Sequence, residues 1–328
     1  MKRFRTAWLT AGCLTLFPLF SSAQTIPAHP EKPVTLVVSW PAGGAPDQIA
    51  RMLAPHLQKR WNVPVIVQNR AGAAGHIGND SVARAEPDGH TLLITPNTIT
   101  MAIHTLTAEE RKPRADVLTE LTPISLLSSS TMLLLAHPSL NLRTVDDLVQ
   151  AARKDPDLGY ASPGYGSPMH LVGEMFNRAA GVNIRHIPYK GTSPAITDLL
   201  GGHVKLTFLG LPVAKPLVDS QRLVPLAAMD TQRSGLMPDL PTAAEQGLTG
   251  VDIDIWFGVY APKDTPAALA DTLHQTLSDI LKEPAVLASF QTMNQEVRPL
   301  SRAAFVEKHK TDYQRYGDLI QDLGINAP

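Results

Sequence analysis

Short runs of apolar residues alternate with amphipathic segments along most of the 328-residue chain. The runs with the length and side-chain content of strands are 34–40, 63–68, 91–95, 132–136, 158–161, 184–188, 204–209, 223–229 and 253–261. Because strands alternate with helices, the pattern predicts an α/β fold in which helices cover both faces of a parallel sheet.

The amphipathic segments between the runs predict helices. The first begins at Gln48 and places Ile49, Leu53 and Leu57 on one face, with Pro55 expected to kink it. Thr144 is the predicted N-cap of a later helix, and Gly181 the predicted stop of another. Two C-terminal segments repeat large residues at helical spacing, namely Leu269, Leu273, Leu277 and Leu281 in one and Phe305, His309, Tyr313 and Tyr316 in the other. We interpret these last two helices as packing elements.

The loop Pro41-Ala42-Gly43-Gly44-Ala45-Pro46-Asp47 joins the first strand to the first helix. Gly43 and Gly44 carry no Cβ, so a ligand can approach the backbone closely. Pro46 suits the first helical position, which makes Ala45 the predicted N-cap. Free N–H groups and the positive end of the helix dipole make this loop a candidate anion-binding site.

The same arrangement recurs twice. Ser167-Pro168 follows Gly164-Tyr165-Gly166, and Ser193-Pro194 follows Tyr189-Lys190-Gly191-Thr192. One such loop is weak evidence, since many strand-to-helix turns bind nothing. Three of them suggest the hypothesis that the loops converge on one acidic ligand.

Side chains around these loops have alternative roles. Asp47 could contact a ligand hydroxyl, an ammonium group or a water, or it could only stabilise the helix start. Lys190 could supply positive charge or be a solvated loop lysine. Four aromatic residues could wall the apolar part of a ligand, although a core position would also explain Phe208: Trp40, Tyr165, Tyr189 and Phe208.

The sequence gives little support for an enzyme. Ser167 and His170 with Asp47 or Asp198 would make a triad on paper, but the Gly-x-Ser-x-Gly elbow is absent, and Ser167 before a proline is better explained as an N-cap. The Gly-x-Gly-x-x-Gly pattern begun at Gly164 ends in methionine. The eleven histidines are scattered. We therefore predict no enzyme, no metal and no cofactor.

The first residues have the pattern of a secretory signal peptide. A basic start is followed by an apolar stretch at 7–20 and by Ser21-Ser22-Ala23. We expect cleavage after about Ala23, which leaves a periplasmic or secreted chain. The apolar stretch is too short for a membrane anchor, and the residues before Cys13 do not favour a lipoprotein.

Composition bounds the class of protein. The length suggests two domains, and the 44% hydrophobic and 18% charged content is ordinary for a globular chain. Removing the leader takes away three basic side chains and no acidic one, which leaves 26 basic against 30 acidic. Without a basic surplus we expect no nucleic-acid binding and no nonspecific membrane binding.

Longer motifs extend the loop pattern over the mature chain. They are Pro41-Ala42-Gly43-Gly44 with Asp47, the stretch 65–78 (VIVQNRAGAAGHIG), 87–93 (PDGHTLL), Tyr160-Ala161-Ser162 with Gly166-Ser167 and His170-Leu171, Pro188-Tyr189-Lys190-Gly191, 198–202 (DLLGG), 238–247 (PDLPTAAEQG), Trp256-Phe257-Gly258 and Ala261-Pro262. With these motifs the chain resembles the Bug family of periplasmic solute receptors, which serve tripartite tricarboxylate transporters.

The resemblance implies a type II periplasmic binding protein: two Rossmann-like lobes, a double-crossing hinge and a carboxylate ligand in the cleft. The first lobe is expected to span 24–127 and 229–328, and the second 128–228. The loop at Pro41 would serve the first lobe and the loop from Ser162 to His170 the second. One departure matters. The family usually has Thr or Ser before the aspartate, whereas Pro46 offers neither a hydroxyl nor an N–H.

The expected partners follow from the resemblance. A monomeric receptor would bind a dicarboxylate, an aromatic acid or an acidic amino acid, and would present it to the large and small permease subunits. The alternative is a sensory receptor that acts on a membrane kinase. A serine hydrolase is the remaining reading.

Overall fold

The structure is a computed structural model that describes residues 30–325, so the predicted signal peptide lies outside the described residues. The strands are β1 (Val34–Val38), β2 (Val65–Asn69), β3 (Thr91–Pro96), β4 (Leu121–Ala136), β5 (Gly159–Ser162), β6 (Arg185–Pro188), β7 (Leu206–Gly210), β8 (Val224–Ala228) and β9 (Asp254–Pro262). The helices are α1 (Ala45–Trp61), α2 (His76–Ala83), α3 (Ala108–Arg111), α4 (Val145–Lys154), α5 (Pro168–Ala180), α6 (Thr192–Leu200), α7 (Leu211–Asp219), α8 (Ala267–Ile280), α9 (Pro284–Thr292) and α10 (Arg302–Asp322).

The strands pair in the order β2-β1-β3-β9-β4-β7-β5-β6, and β8 also pairs with β4. The β1, β2 and β3 strands are parallel, as are β5 with β6 and β7. The pairs of β9 with β3 and β4, and of β4 with β7 and β8, are antiparallel, so the sheet is mixed and the prediction of a parallel sheet is only partly right. The long strand β4 joins the two regions. Its residues up to Thr131 pair with β9, and those from Met132 pair with β7 and β8. One strand therefore passes from the first lobe to the second.

The hydrophobic core divides in the same way. One cluster packs α1, α8 and α9 on the β1 side of the sheet, and another packs α4 and α5 against β5 and β7. Helix α10 belongs to both halves, because Phe305 packs with Trp256 near β9 whereas Tyr316 and Ile320 pack with Phe176 of α5. Packing thus shares α10 between the lobes, and the boundaries expected at 127 and 228 stay predictions.

Local chemistry explains most element ends. Thr144 caps α4 through a reciprocal capping box with Asp147, and Gly181 ends α5 in the left-handed conformation, as predicted. Helix α1 begins at Ala45, one residue before Pro46, which was the predicted first helical position, and three residues before the start of the amphipathic pattern at Gln48. Gly44 is its N-cap, so the expectation that Ala45 caps the helix is wrong. Pro55 lies inside α1, and the helix continues through it to Trp61.

Candidate functional site

The loop after β1 folds back onto the carboxylate of Asp47. This side chain is buried, with 2% of the residue exposed. Its oxygens accept hydrogen bonds from the Gly43 N–H at 2.8 Å, the Asn69 Nδ2 at 3.0 Å and the Arg51 Nε at 2.9 and 3.0 Å. Burial by itself would raise the pKa of Asp47, but the hydrogen bonds from Arg51, Gly43 and Asn69 together hold that pKa below its usual value. Asp47 is therefore a carboxylate with its own partners.

These bonds reduce the donors that the loop offers. The Gly43 N–H is occupied by Asp47, the Gly44 N–H donates to the Pro41 carbonyl at 3.3 Å, and Pro46 has no N–H. Within residues 30–325 no hydrogen bond uses the N–H of Ala42 or Ala45. The predicted anion-binding loop therefore retains two free backbone donors.

Neighbouring segments of the first lobe support this loop. The Asn69 Nδ2 also donates to the Trp40 carbonyl at 3.1 Å, which ties the loop to the end of β2. The Ser39 hydroxyl donates to the Thr95 hydroxyl at 2.8 Å, which links the ends of β1 and β3. A Cβ at Gly78 would lie 2.7 Å from the Ser39 Cα, so only glycine lets α2 approach β1 this closely. Three strand ends thus meet around the first loop.

The loop after β5 is held by Ser167 and His170. Ser167 caps α5 as predicted. Its hydroxyl accepts from the His170 N–H at 3.2 Å and donates to the Gly164 carbonyl at 2.7 Å. The Gly166 N–H donates to the His170 Nδ1 at 3.1 Å. Because Nδ1 accepts, the neutral imidazole carries its proton on Nε2 and is a hydrogen-bond donor there. Burial lowers the pKa of His170 to about 4, so the ring is neutral at pH 7.

A second histidine lies behind this loop. His186 of β6 stacks on His170 with ring centroids 3.8 Å apart, and its Nε2 lies 2.6 Å from the Ser162 hydroxyl oxygen. Burial, with a contribution from His170, lowers the pKa of His186 to about 4. Tyr165 is 59% exposed and contacts both rings edge to face, at 5.4 and 5.1 Å. Sequence reasoning missed His186, since only the pairing of Tyr160 with His186 brings it here.

The third loop lies beside the second. The Tyr189 N–H donates to the Ser162 carbonyl at 2.9 Å, and the Gly191 N–H donates to the Pro163 carbonyl at 3.1 Å. The Tyr189 hydroxyl donates to Asp198 at 2.9 Å, and burial followed by this bond raises the pKa of Tyr189 to about 12. Lys190 is exposed and Thr192 opens α6. Phe208 is 2% exposed and packs edge to face on Tyr160, so its ring lies in the core of the second lobe rather than on a surface.

The second loop lies against a segment that the expected boundaries assign to the first lobe. A Cβ added to Gly166 would lie 2.7 Å from the Thr105 Cγ2, which places this loop against the 3-10 turn Ala102–Thr105. Met101, just before that turn, packs in the core cluster of the second lobe. The structure therefore brings together the second loop, the third loop and the segment around Thr105.

Neither serine of the second loop is an activated nucleophile. The Ser167 hydroxyl contacts backbone groups, not the imidazole of His170. Ser162 does meet an imidazole, but it has no exposed surface, and the His186 Nδ1 has no hydrogen-bond partner among the described residues to orient it as a base. These contacts do not support acyl transfer.

A cluster of metal ligands and a membrane-spanning helix are also absent from the part of the chain that the structure describes. Within residues 30–325 no three histidine, cysteine or acidic side chains are grouped as metal ligands. No described helix is long and apolar enough to span a bilayer.

Two α/β regions joined by a shared long strand, with backbone-rich loops at the strand ends of each, are typical of two-lobed binding proteins. The family of tripartite tricarboxylate transporter receptors matches residues 49–325, and the chain belongs to this family. Protein BugT of Bordetella pertussis is 36% identical over 270 residues, which cover 82% of this chain and 81% of BugT.

Solved structures agree with this assignment. An R. palustris protein with adipate superposes with a TM-score of 0.78 at 31% identity, over 91% of this chain and 99% of the other. The periplasmic binding protein BugD gives a TM-score of 0.73 at 32% identity, over 91% of this chain and 99% of its own. The predicted periplasmic binding-protein fold and the resemblance to the Bug family are confirmed.

Proposed function

We propose that this chain is a periplasmic receptor that binds a small organic carboxylate between its lobes and delivers it to the membrane subunits of a tripartite tricarboxylate transporter. The observation that supports the proposal is the close approach of Gly166 to Thr105, since on the expected boundaries Gly166 belongs to the second lobe and Thr105 to the first. A ligand held between them favours the closed state, since only contacts made to both lobes shift that equilibrium. The contacts of Ser162 and Ser167, which do not support acyl transfer, are consistent with a receptor that binds its ligand without a chemical reaction.

The number of hydrogen-bond donors available in the loops favours a ligand that binds with moderate affinity. The first loop offers the N–H groups of Ala42 and Ala45, and the second offers the Nε2–H of His170. Lys190 adds an exposed positive charge on the third loop. Hydrogen bonds to a charged group contribute about 1.5–3 kcal/mol each. Three or four of them, less the entropy of binding, give a dissociation constant of about 1 μM.

The loss of donors at Gly43 and Pro46 bears on the class of acid. A tricarboxylate needs more donors than the first loop retains, so acids with one or two carboxylates, or with an apolar body that could lie against Tyr165, should bind more tightly than citrate. The adipate held by the structural relative is an acid of this kind. The export signal at 1–23, with cleavage after about Ala23, would place the receptor in the periplasm.

Thermal-shift screening of the mature chain tests this ligand class. At a hundredfold excess of ligand over its Kd, a bound acid stabilises the native state by about 2.7 kcal/mol, which raises the melting temperature by several degrees. We expect adipate or benzoate to give that shift and citrate a smaller one. A clear preference for citrate would contradict the proposed class, and no shift with any acid would contradict the receptor function.

A further inference from the structure

Three side chains beneath the first loop form a closed ring of hydrogen bonds. The Arg51 Nε donates to the carboxylate of Asp47, the Arg51 Nη2 donates to the Asn69 Oδ1 at 3.2 Å, and the Asn69 Nδ2 donates back to the Asp47 Oδ1 at 3.0 Å. Each member therefore contacts the other two. From this ring one bond reaches the Gly43 N–H and another reaches the Trp40 carbonyl, so the ring holds both ends of the Trp40–Gly43 turn.

The ring is built on rigid elements. Arg51 is one helical turn after Asp47 in α1, and Asn69 is the last residue of β2, paired with Val38 of β1. Outside the ring, the turn is held by an exposed bond from the Gln48 Nε2 to the Gly43 carbonyl at 2.9 Å and by the 3.3 Å bond from the Gly44 N–H to the Pro41 carbonyl. The part-buried bonds of the turn, to the Gly43 N–H and the Trp40 carbonyl, come from the ring.

The ring also reduces the electrostatic repulsion between Asp47 and an acidic ligand. A bare carboxylate seven residues after Trp40 would repel an acidic ligand at the loop. Here the Asp47 carboxylate is buried and paired with the guanidinium of Arg51, so the pair is neutral as a unit. The oxygens of Asp47 are directed to three donors of the protein.

We propose that Asp47, Arg51 and Asn69 are positioning residues, which fix the Trp40–Gly44 turn in its binding shape and mask the aspartate charge without contacting the ligand themselves. The inference rests on the proposed function, because the turn is positioned for an acid. It adds that Arg51, although a cation near the site, does not bind the carboxylate of the ligand.

The first experiment needs no ligand. Amide hydrogen exchange of Gly43 is measured by NMR in the wild-type mature chain and in Arg51→Met, Asn69→Ala and Arg60→Met. Arg60 is the matched control, since it is another exposed arginine of α1 that pairs with acids outside the loop. We expect Gly43 to be protected in the wild type and in Arg60→Met, and to exchange at least tenfold faster in the other two. Equal protection in all four proteins would overturn the proposal.

The second experiment is isothermal titration with adipate and with its monoamide. We expect Arg51→Met and Asn69→Ala each to weaken binding of both ligands by about the same factor, on the order of tenfold, with little further loss in the double variant. Arg60→Met should bind as the wild type does. A loss in Arg51→Met for the diacid alone would show a direct contact with the second carboxylate, and wild-type affinity in both variants would show that the ring does not matter.

The two kinds of failure are distinguishable. If the wild type binds no acid, the proposed function is contradicted, while the exchange of Gly43 still decides whether the ring fixes the turn. If the wild type binds and the variants bind equally well, the receptor function stands and the positioning roles are wrong.

Discussion

His309 is a buried residue whose protonation contributes to the response of this protein to pH. Its Nε2 lies 3.2 Å from the Val117 carbonyl, which can only accept, so the Nδ1 accepts from the Tyr260 hydroxyl at 3.0 Å. Burial lowers the pKa of His309 to about 4, against 6.5 when the chain is unfolded. The neutral ring therefore contributes stability above pH 6.5, and this contribution is lost as the pH falls from 6.5 through 4.

We expect the free energy of unfolding to fall between pH 7 and pH 5, with His309 accounting for about 2 kcal/mol of the loss. His170 and His186 shift in the same direction and add to the fall. Urea unfolding at both pH values checks this. In His309→Gln, which can keep both hydrogen bonds, the difference between the two pH values should shrink by about that amount. An unchanged difference would contradict the assignment.

At the scale of residues, the sequence predicts those contacts that form between residues close together in the chain. The caps at Thr144 and Ser167 follow from side-chain oxygens placed before helices, and the pairing of Asp47 with Arg51 follows a spacing of four residues that could have been noticed. Asn69 and His186 could not be predicted in this way, because both enter the site through the register of neighbouring strands. Asp47 was consequently interpreted as a possible ligand contact.

At the scale of elements, the contact between the second loop and the turn Ala102–Thr105 makes a testable claim. Gly166 has a φ of +70°, and an added Cβ would also meet the Thr105 Cγ2 at 2.7 Å. Gly181 is a matched control, since its φ is +60° and an added Cβ meets nothing within 4 Å. We expect Gly181→Ala to cost about 1 kcal/mol from backbone strain alone, and Gly166→Ala to cost more and to weaken acid binding.

The excess can be traced with Thr105→Ser, which removes the Cγ2 and keeps the hydroxyl that donates to the Ala102 carbonyl at 2.9 Å. Urea unfolding should show that Gly166→Ala costs less in the Thr105→Ser background, whereas the cost of Gly181→Ala is the same in both backgrounds. Equal costs for Gly166→Ala in both backgrounds would mean that the two lobes do not meet there in solution.

The elements themselves were predicted unevenly. Helices with a clear apolar face were found: α8 contains Leu269, Leu273 and Leu277 of the predicted face, and Leu281 is its C-cap. Helices α7 and α9 were not predicted. Pro212 and Pro216 of α7 argue against a helix, and Pro284 of α9 stands at the first helical position, which suits a proline. Strand β4 extends from Leu121, well before the predicted apolar run, because pairing with β9 buries its serines.

At the scale of the molecule, several connections link the lobes. Strand β4 crosses from one to the other, and α10 packs Phe305 on the first side and Tyr316 on the second. Beside the point where β4 crosses, Asp230 accepts hydrogen bonds from the Thr131 hydroxyl at 3.3 Å and from the Arg298 Nη2 at 3.1 Å. Neither the sharing of α10 nor the bonding of Asp230 is visible in the sequence, because each joins residues far apart in the chain.

The overall architecture follows from the sequence, whereas the hydrogen bonding within the loops does not. Strand and helix alternation gave the α/β class, and the motifs gave the family, which the comparisons confirm. The loops were identified by their glycines and prolines, but which of their N–H groups remain free depends on side chains such as Asp47 that only the folded chain brings to them.

The most direct test of the account is a crystal structure of the mature chain with the acid that stabilises it most. We predict that the carboxylate accepts hydrogen bonds from the first loop at Ala42 or Ala45 and from the second lobe at the His170 Nε2, with Asp47 still bound to Arg51 and Asn69. An acid found outside the cleft, or bound to the loops of one lobe alone, would contradict it.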